Sequence, residues 1–185
     1  MTRALWSPLV RLTHWGVAAL VLFNQFNDSG RIHRWAGYAA AALVVCRLVY
    51  GFARPRQDPA RIHIPGPTAL RDHLKAIGRK ALAPSHGHNP VGMWAALIMW
   101  TLILALGITG WMSQLDRYWG EEWLEEFHEG LANTLLGVVV VHWVGVLSMS
   151  ALLKQNLVRA MVTGGESSSE TGTPASIKTE QRSPN

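Results

Sequence analysis

The chain has 185 residues, of which 49% are hydrophobic, 16% charged and 9% aromatic, with nine Trp and a formal net charge of +5. A charged fraction well below the roughly 25% of soluble domains, with so many apolar residues, excludes a disordered chain and a solvated repeat array and points to a lipid bilayer. The positive charge is divided among loops instead of forming one basic face with interleaved aromatics, so nucleic acid is excluded as a partner.

In chain order, four apolar segments stand out, at about residues 9–26, 32–52, 91–112 and 131–153, and none contains Asp or Glu. Each is within reach of the ~17 to 25 residues that cross a bilayer. The first has only a short apolar run, 15–23, followed by Asn24, Gln25 and Asn27. Bulky and polar residues where a small-residue cleavage site would stand argue against a removable secretory signal. The third segment carries no charge at all and follows Asn89 and Pro90, a helix-start pair. The expected fold is therefore all-α, an integral membrane four-helix bundle within residues 1–163. Residues 164–185, rich in Ser, Thr, Glu and Pro, are expected to form a disordered cytoplasmic tail.

Orientation follows from the connections. Residues 54–88 carry Arg54, Arg56, Arg61, Arg71, Lys75, Arg79 and Lys80 against Asp58 and Asp72, which assigns them to the cytoplasm. Residues 114–129 carry Arg117 against Asp116, Glu121, Glu122, Glu125, Glu126 and Glu129, with Trp111, Trp119 and Trp123 as interfacial anchors, and belong on the other side. Both termini are then cytoplasmic, consistent with Arg3 and Arg11 before the first segment and Lys154 and Arg159 after the last.

Of eight histidines, His63, His73 and His86 read as solvated loop residues, and His88 stands at the loop's exit. His14, His33, His128 and His142 fall within or at the mouths of three apolar segments, where an ionisable side chain is costly and function is the first hypothesis. His128 and His142 are 14 residues apart, about 21 Å of rise and about 40 degrees short of whole turns on one helix, so they share a face at two depths. His14 lies in the cytoplasmic half of its segment and matches His142; His33 opens its segment from the outer side and matches His128.

Two facing imidazoles at each of two depths constrain the chemistry. Zinc would require further protein ligands, and the segments hold no carboxylate to supply them. A proton-coupled transporter would be expected to pair its histidines with intramembrane carboxylates, also absent. A haem iron has four porphyrin nitrogens already and needs only axial donors, so each pair completes one six-coordinate b haem, two in all, suited to one-electron transfer. The single cysteine, Cys46, excludes covalent c-type attachment, which needs two. The anionic propionates call for cations. Arg47, 14 residues beyond His33 and so near the inner pair in depth, is the foremost candidate, with Arg11 beside His14 and Arg31 and Arg34 flanking His33. Gly16, Gly37, Gly137 and Gly145 are candidates for close approach of a helix or porphyrin, and Trp15, Trp35 and Trp143 for pocket walls. The rival from another class is a histidine-dependent membrane transporter or metal-handling protein.

Five strings then carry a family resemblance: WSPLVRLTHW at the start, HRWAGYAAAALVVCRLVYGF in the second segment, GHNPVGMW before the third, HEGLANTLLGVVVVHWVGVL in the fourth and NLVRAMVTG after it. In that order and spacing, from Trp6 to Gly164, the chain resembles the bacterial cytochrome b561 and nickel-iron hydrogenase b-type cytochrome family. The resemblance implies a four-helix bundle of the bacterial inner membrane that binds b-type haem non-covalently. It also implies electron transfer between quinone or quinol and a partner redox protein, as a component of an oxidoreductase. By position it puts the axial ligands on His14, His33, His128 and His142, lends weight to Arg47, and sets His88 and Asn89 near the inner haem edge. The acidic connection between the third and fourth segments departs from the family pattern. The expected partner is a periplasmic or membrane redox protein, such as a c-type cytochrome or a dehydrogenase or hydrogenase subunit, and the acidic segment suggests a positively charged one such as a periplasmic c-type cytochrome.

Overall fold

The computed structural model describes residues 6–55, 58, 60–78 and 90–164. Among these residues the chain is all-helical: α1 (Pro8–Phe26), α2 (Gly30–Ala53), α3 (Pro67–Gly78), α4 (Pro90–Met112), α5 (Glu122–Leu153) and α6 (Leu157–Thr163), with a 3-10 turn at Asp116–Tyr118. Local chemistry sets the ends. Ser7 accepts a hydrogen bond from the Val10 amide at 3.4 Å while Pro8, lacking a donor, occupies the first turn of α1. Arg54 precedes Pro55, is forced into extended backbone (φ −78°, ψ 147°), and α2 stops there.

Three helices, α2, α4 and α5, are long and apolar enough to cross a membrane. The expected fourth span, α1, is not among them: its 19 residues include Arg11 and His14 towards one end and Asn24 and Gln25 towards the other. It nevertheless packs as a bundle member, with Val17, Leu20 and Val21 against a core of Ala40, Val44, Ile103 and Leu135 drawn from α2, α4 and α5. The fourth apolar segment, expected from residue 131, is the end of a longer helix: α5 starts at Glu122, so 32 residues extend about 48 Å against a hydrocarbon core of about 30 Å. Its first two turns carry Glu122, Glu125, Glu126 and Glu129. Two short helices lie outside the apolar segments, α3 in the basic connection and α6 after the fourth segment, and α3 packs on α4.

Close backbone packing runs in series, α1 on α2, α2 on α4 and α4 on α5, and no comparably close packing joins α5 to α1 or α2. Small residues permit the close contacts, since lipid tails provide no hydrophobic drive to bring helices together. A Cβ on Gly16 would meet Leu43 Cδ1 at 3.0 Å, and one on Gly107 would meet Ala41 Cβ at 3.1 Å. Gly37 behaves similarly towards Asn24 Nδ2 at 3.4 Å, whereas Gly137 and Gly145 meet nothing within 4 Å. The reason is rotational for Gly137: nine residues beyond His128 is two and a half turns, which turns it to the face opposite that histidine. The starts of α1 and α4 and the ends of α2 and α5 share one end of the bundle with α6, here the basic end; the α4–α5 connection marks the acidic end.

Candidate functional site

The fold brings the four histidines together as two pairs. His14 on α1 faces His142 on α5, with ring centroids 6.5 Å apart, and His33 on α2 faces His128 on α5, with centroids 6.1 Å apart. The first pair lies towards the basic end and the second at the acidic end. In both cases the paired helices are those that lack close backbone packing, so the imidazoles span the space between α5 and the α1–α2 hairpin.

At the acidic end, hydrogen bonds fix which ring nitrogen is protonated. His33 Nδ1 lies 2.7 Å from the carbonyl oxygen of Asn27, which can only accept, so Nδ1 carries the hydrogen and donates it. Thr109 donates its hydroxyl hydrogen back to its own helix, with Ala105 and Leu106 carbonyls at 3.0 and 3.2 Å. Its oxygen is thus left to accept from His128 Nδ1 at 2.7 Å. Each ring then uses Nδ1 as its donor, which leaves Nε2 as the nitrogen available to a metal. Asn24 completes the collar by donating its Nδ2 to the His33 carbonyl at 3.0 Å. Thr109 is 5% exposed although it sits in the most apolar helix. Neither it nor Asn27 is singled out by the sequence. The signal that could have found Thr109 is its depth, close to the end of α4 and level with His128.

At the basic end the histidines have less support. His14 Nδ1 is buried with no partner among the described residues. The ring meets Trp15 edge-on at 5.2 Å, and the Trp15 indole donates to the Met161 carbonyl of α6 at 3.4 Å. The backbone amide of Trp6 donates to the Gly164 carbonyl at 3.1 Å, and Arg11 Nη2 donates to the Val162 carbonyl. α6 is therefore tied to α1 through its last carbonyls, the groups a helix leaves open for outside donors. Of the other tryptophans expected to wall pockets, Trp35 packs on Tyr38 and both it and Trp143 are exposed.

The arginines divide in the same way. Arg34 Nη1 donates to Gln114 Oε1 and ties α2 to the α4–α5 connection. Arg47 is only 4% exposed; Nη2 donates to the Ala60 carbonyl at 3.1 Å, while Nη1 is buried without a partner among the described residues. The guanidinium stands 5.7 Å from the centre of the Trp100 ring. Gly51 makes room for it, since a Cβ there would collide with Arg47 Nη1 and the Ile62 side chain. A buried guanidinium with an unused donor is a place for an anion. His88 and Asn89 lie outside the described residues.

The donor set is two pairs of imidazoles. Among the described residues no group of three or more His, Cys, Asp or Glu converges. Such pairs leave a tetrahedral metal short of ligands and suit an iron whose equatorial positions are already filled. No curated protein and no solved structure matches the chain. The family model for prokaryotic cytochrome b561 matches residues 5–164, a range that contains every described helix, and the chain belongs to that family of membrane b-type cytochromes, which bind haem b and transfer electrons.

Proposed function

We propose that the chain is a di-haem b-type cytochrome of the bacterial inner membrane that transfers electrons between quinone or quinol and a redox protein on the outer side. In this reading α1 is the fourth span, the basic end and both termini are cytoplasmic, and each haem is held by two histidines, His14 with His142 and His33 with His128. The pairing of these rings at two levels, at 6.5 and 6.1 Å, is the observation that carries the reading. A metal bound by two opposed imidazoles through nitrogens about 2 Å away leaves ring centres roughly 6 Å apart. Residues 1–163 form the haem-binding domain, followed by the cytoplasmic tail.

Bound there, haem supplies a reversible one-electron iron couple with no open coordination position. The protein's residues do the rest. Asn27 and Thr109 orient the outer ligands and fix Nδ1 as the nitrogen that donates. Arg47 offers its free Nη1 to a propionate at the inner level, and Arg11 Nε, also buried without a partner, and Arg34 add positive charge at the inner and outer levels respectively. Val44, Ile103 and Leu135 fill the bundle between the levels and exclude water. A transporter or metal-handling role would require further donors beside the histidines, which the described residues do not supply.

The acidic end provides a docking face. Glu122, Glu125, Glu126 and Glu129 recur at helical spacing on the part of α5 that overhangs the apolar span, with exposed Trp119, Trp123 and Phe127 beside them. Opposite charge accelerates encounter, so the favoured partner is a cationic electron carrier such as a periplasmic c-type cytochrome. Purified protein should give a b-type α band in its reduced-minus-oxidised spectrum and two haems per chain. Its reduction by a cationic c-type cytochrome should slow as salt is raised. Absence of the band sinks the cytochrome reading, one haem per chain sinks the two-level scheme, and salt-independent rates remove the docking role of the glutamates.

A further inference from the structure

Outside the histidine pairs, an open groove of about 690 Å³ lies at the basic end, between the end of α5 and α6. The turn that builds it is pinned. Lys154 ends α5 in the left-handed region (φ 51°, ψ 34°), with its amide on the Ala151 carbonyl, and Gln155 bonds back to the Ser150 carbonyl at 3.1 Å. Ser150 Oγ accepts from the Leu157 amide at 3.3 Å, and Asn156 caps α6 by accepting from the Arg159 amide at 2.8 Å. The groove is thus held from the α5 side by this turn and from the α1 side by the ties of Trp15 and Arg11 to α6.

Leu147, Ala151, Val158 and Val162 make its apolar walls, and Lys154 and Arg159 stand on its rim. Both cations are exposed, no acidic residue among the described residues lines the groove, and the ion pair found among them, Arg54 with Asp58, involves neither. An apolar channel with two unpaired cations at one end of a membrane helix is complementary to an amphiphilic anion. We propose that the groove is a binding site for one anionic phospholipid, its phosphate on Lys154 and Arg159 and an acyl chain along the α5–α6 walls. This assignment does not depend on haem.

Native mass spectrometry of the full chain, released from detergent micelles containing equal phosphatidylglycerol and phosphatidylcholine, tests the site directly. The expected result is one retained phosphatidylglycerol per chain and little phosphatidylcholine. Retention should weaken roughly thirtyfold in the Lys154→Gln, Arg159→Gln double variant, at about 1 kcal/mol per basic residue near an anionic headgroup. The charge-conserving pair Lys154→Arg with Arg159→Lys should keep the lipid, and circular dichroism should report equal helix content in all three proteins. Equal retention of the two lipids by the unaltered chain, or of phosphatidylglycerol by the unaltered and charge-removed chains, overturns the proposal. So does loss of the lipid from the charge-conserving variant at equal helix content.

Discussion

The two histidine pairs are alike in separation and unlike in how they are held. At the acidic end each ring is fixed by a hydrogen bond of 2.7 Å, one to a backbone carbonyl and one to a buried hydroxyl, so orientation and tautomer are set locally. At the basic end the His14 Nδ1 has no such bond among the described residues, and its helix is instead tied to α6, which continues from the helix bearing His142. One site is organised by the atoms next to its ligands, the other by the docking of whole helices. Hydrogen bonds to a ligand ring raise its basicity and hold its direction. A helix tie controls only how far apart the two ligand-bearing helices stand. The acidic-end pair, outer in the proposed orientation, should therefore respond to small local substitutions, and the basic-end pair, the inner one, to changes in how α1 meets α6.

The largest effect comes from removing a ligand. His33→Ala or His128→Ala should abolish the outer haem and spare the inner one, and His14→Ala or His142→Ala should do the reverse, each variant keeping half the haem of the unaltered chain. Pyridine haemochrome assay per mole of protein reads this directly. If the two members of a pair give different residual spectra, or if any of the four substitutions removes all haem, the division into two independent levels fails. The four variants also supply single-haem backgrounds in which each level can be titrated alone.

In a His14→Ala background, where only the outer site remains, Thr109→Val keeps the side-chain shape and deletes the acceptor of His128 Nδ1. Loss of such a partner typically weakens a metal site about 10- to 100-fold, and Thr109→Ser, which retains the hydroxyl, should recover most of that. Haem titration of the apoprotein measures it. An unchanged affinity would mean that the 2.7 Å contact does not orient the ligand, and the contrast between the two levels would lose its outer half.

Legibility from sequence follows the same local-versus-global divide. The four histidines were visible because ionisable side chains stand out in apolar runs and helical rise fixes their depth. The limits of α1, α2 and α4 were visible to within two residues, with Asn89 and Pro90 marking the start of α4. The start of α5 was not, because a hydropathy reading stops where Glu122, Glu125, Glu126 and Glu129 begin, while the backbone continues helical into water with residues of good helix propensity. α6 escaped because seven residues give too little periodicity to detect. The hydrogen-bond partners of the histidines, of Arg47 and of Trp15 were the least legible. Asn27, Ala60 and Met161 act through backbone carbonyls, which every residue possesses, and Thr109 also makes the ordinary bond of a helical Thr to its own preceding turn.

The smallest of the expected effects isolates the inner half of the contrast. In a His33→Ala background, Trp15→Phe preserves an aromatic edge against His14 and removes only the indole donor to the Met161 carbonyl. A net hydrogen bond contributes about 0.5–1.5 kcal/mol, and at 3.4 Å this one belongs at the low end, so inner haem affinity should fall by about two- to threefold. The loss is modest because Arg11 and the Trp6 amide still bind the end of α6 to α1. The same substitution placed in the His14→Ala background should leave the outer site unchanged, since the Asn27 and Thr109 bonds are at the far end of the bundle. Equal losses at both levels would show that α6 steadies the bundle as a whole and has no particular hold on the inner pair. A loss larger than that of Thr109→Val would reverse the ranking, making helix docking and not local hydrogen bonding the dominant source of ligand order in this protein.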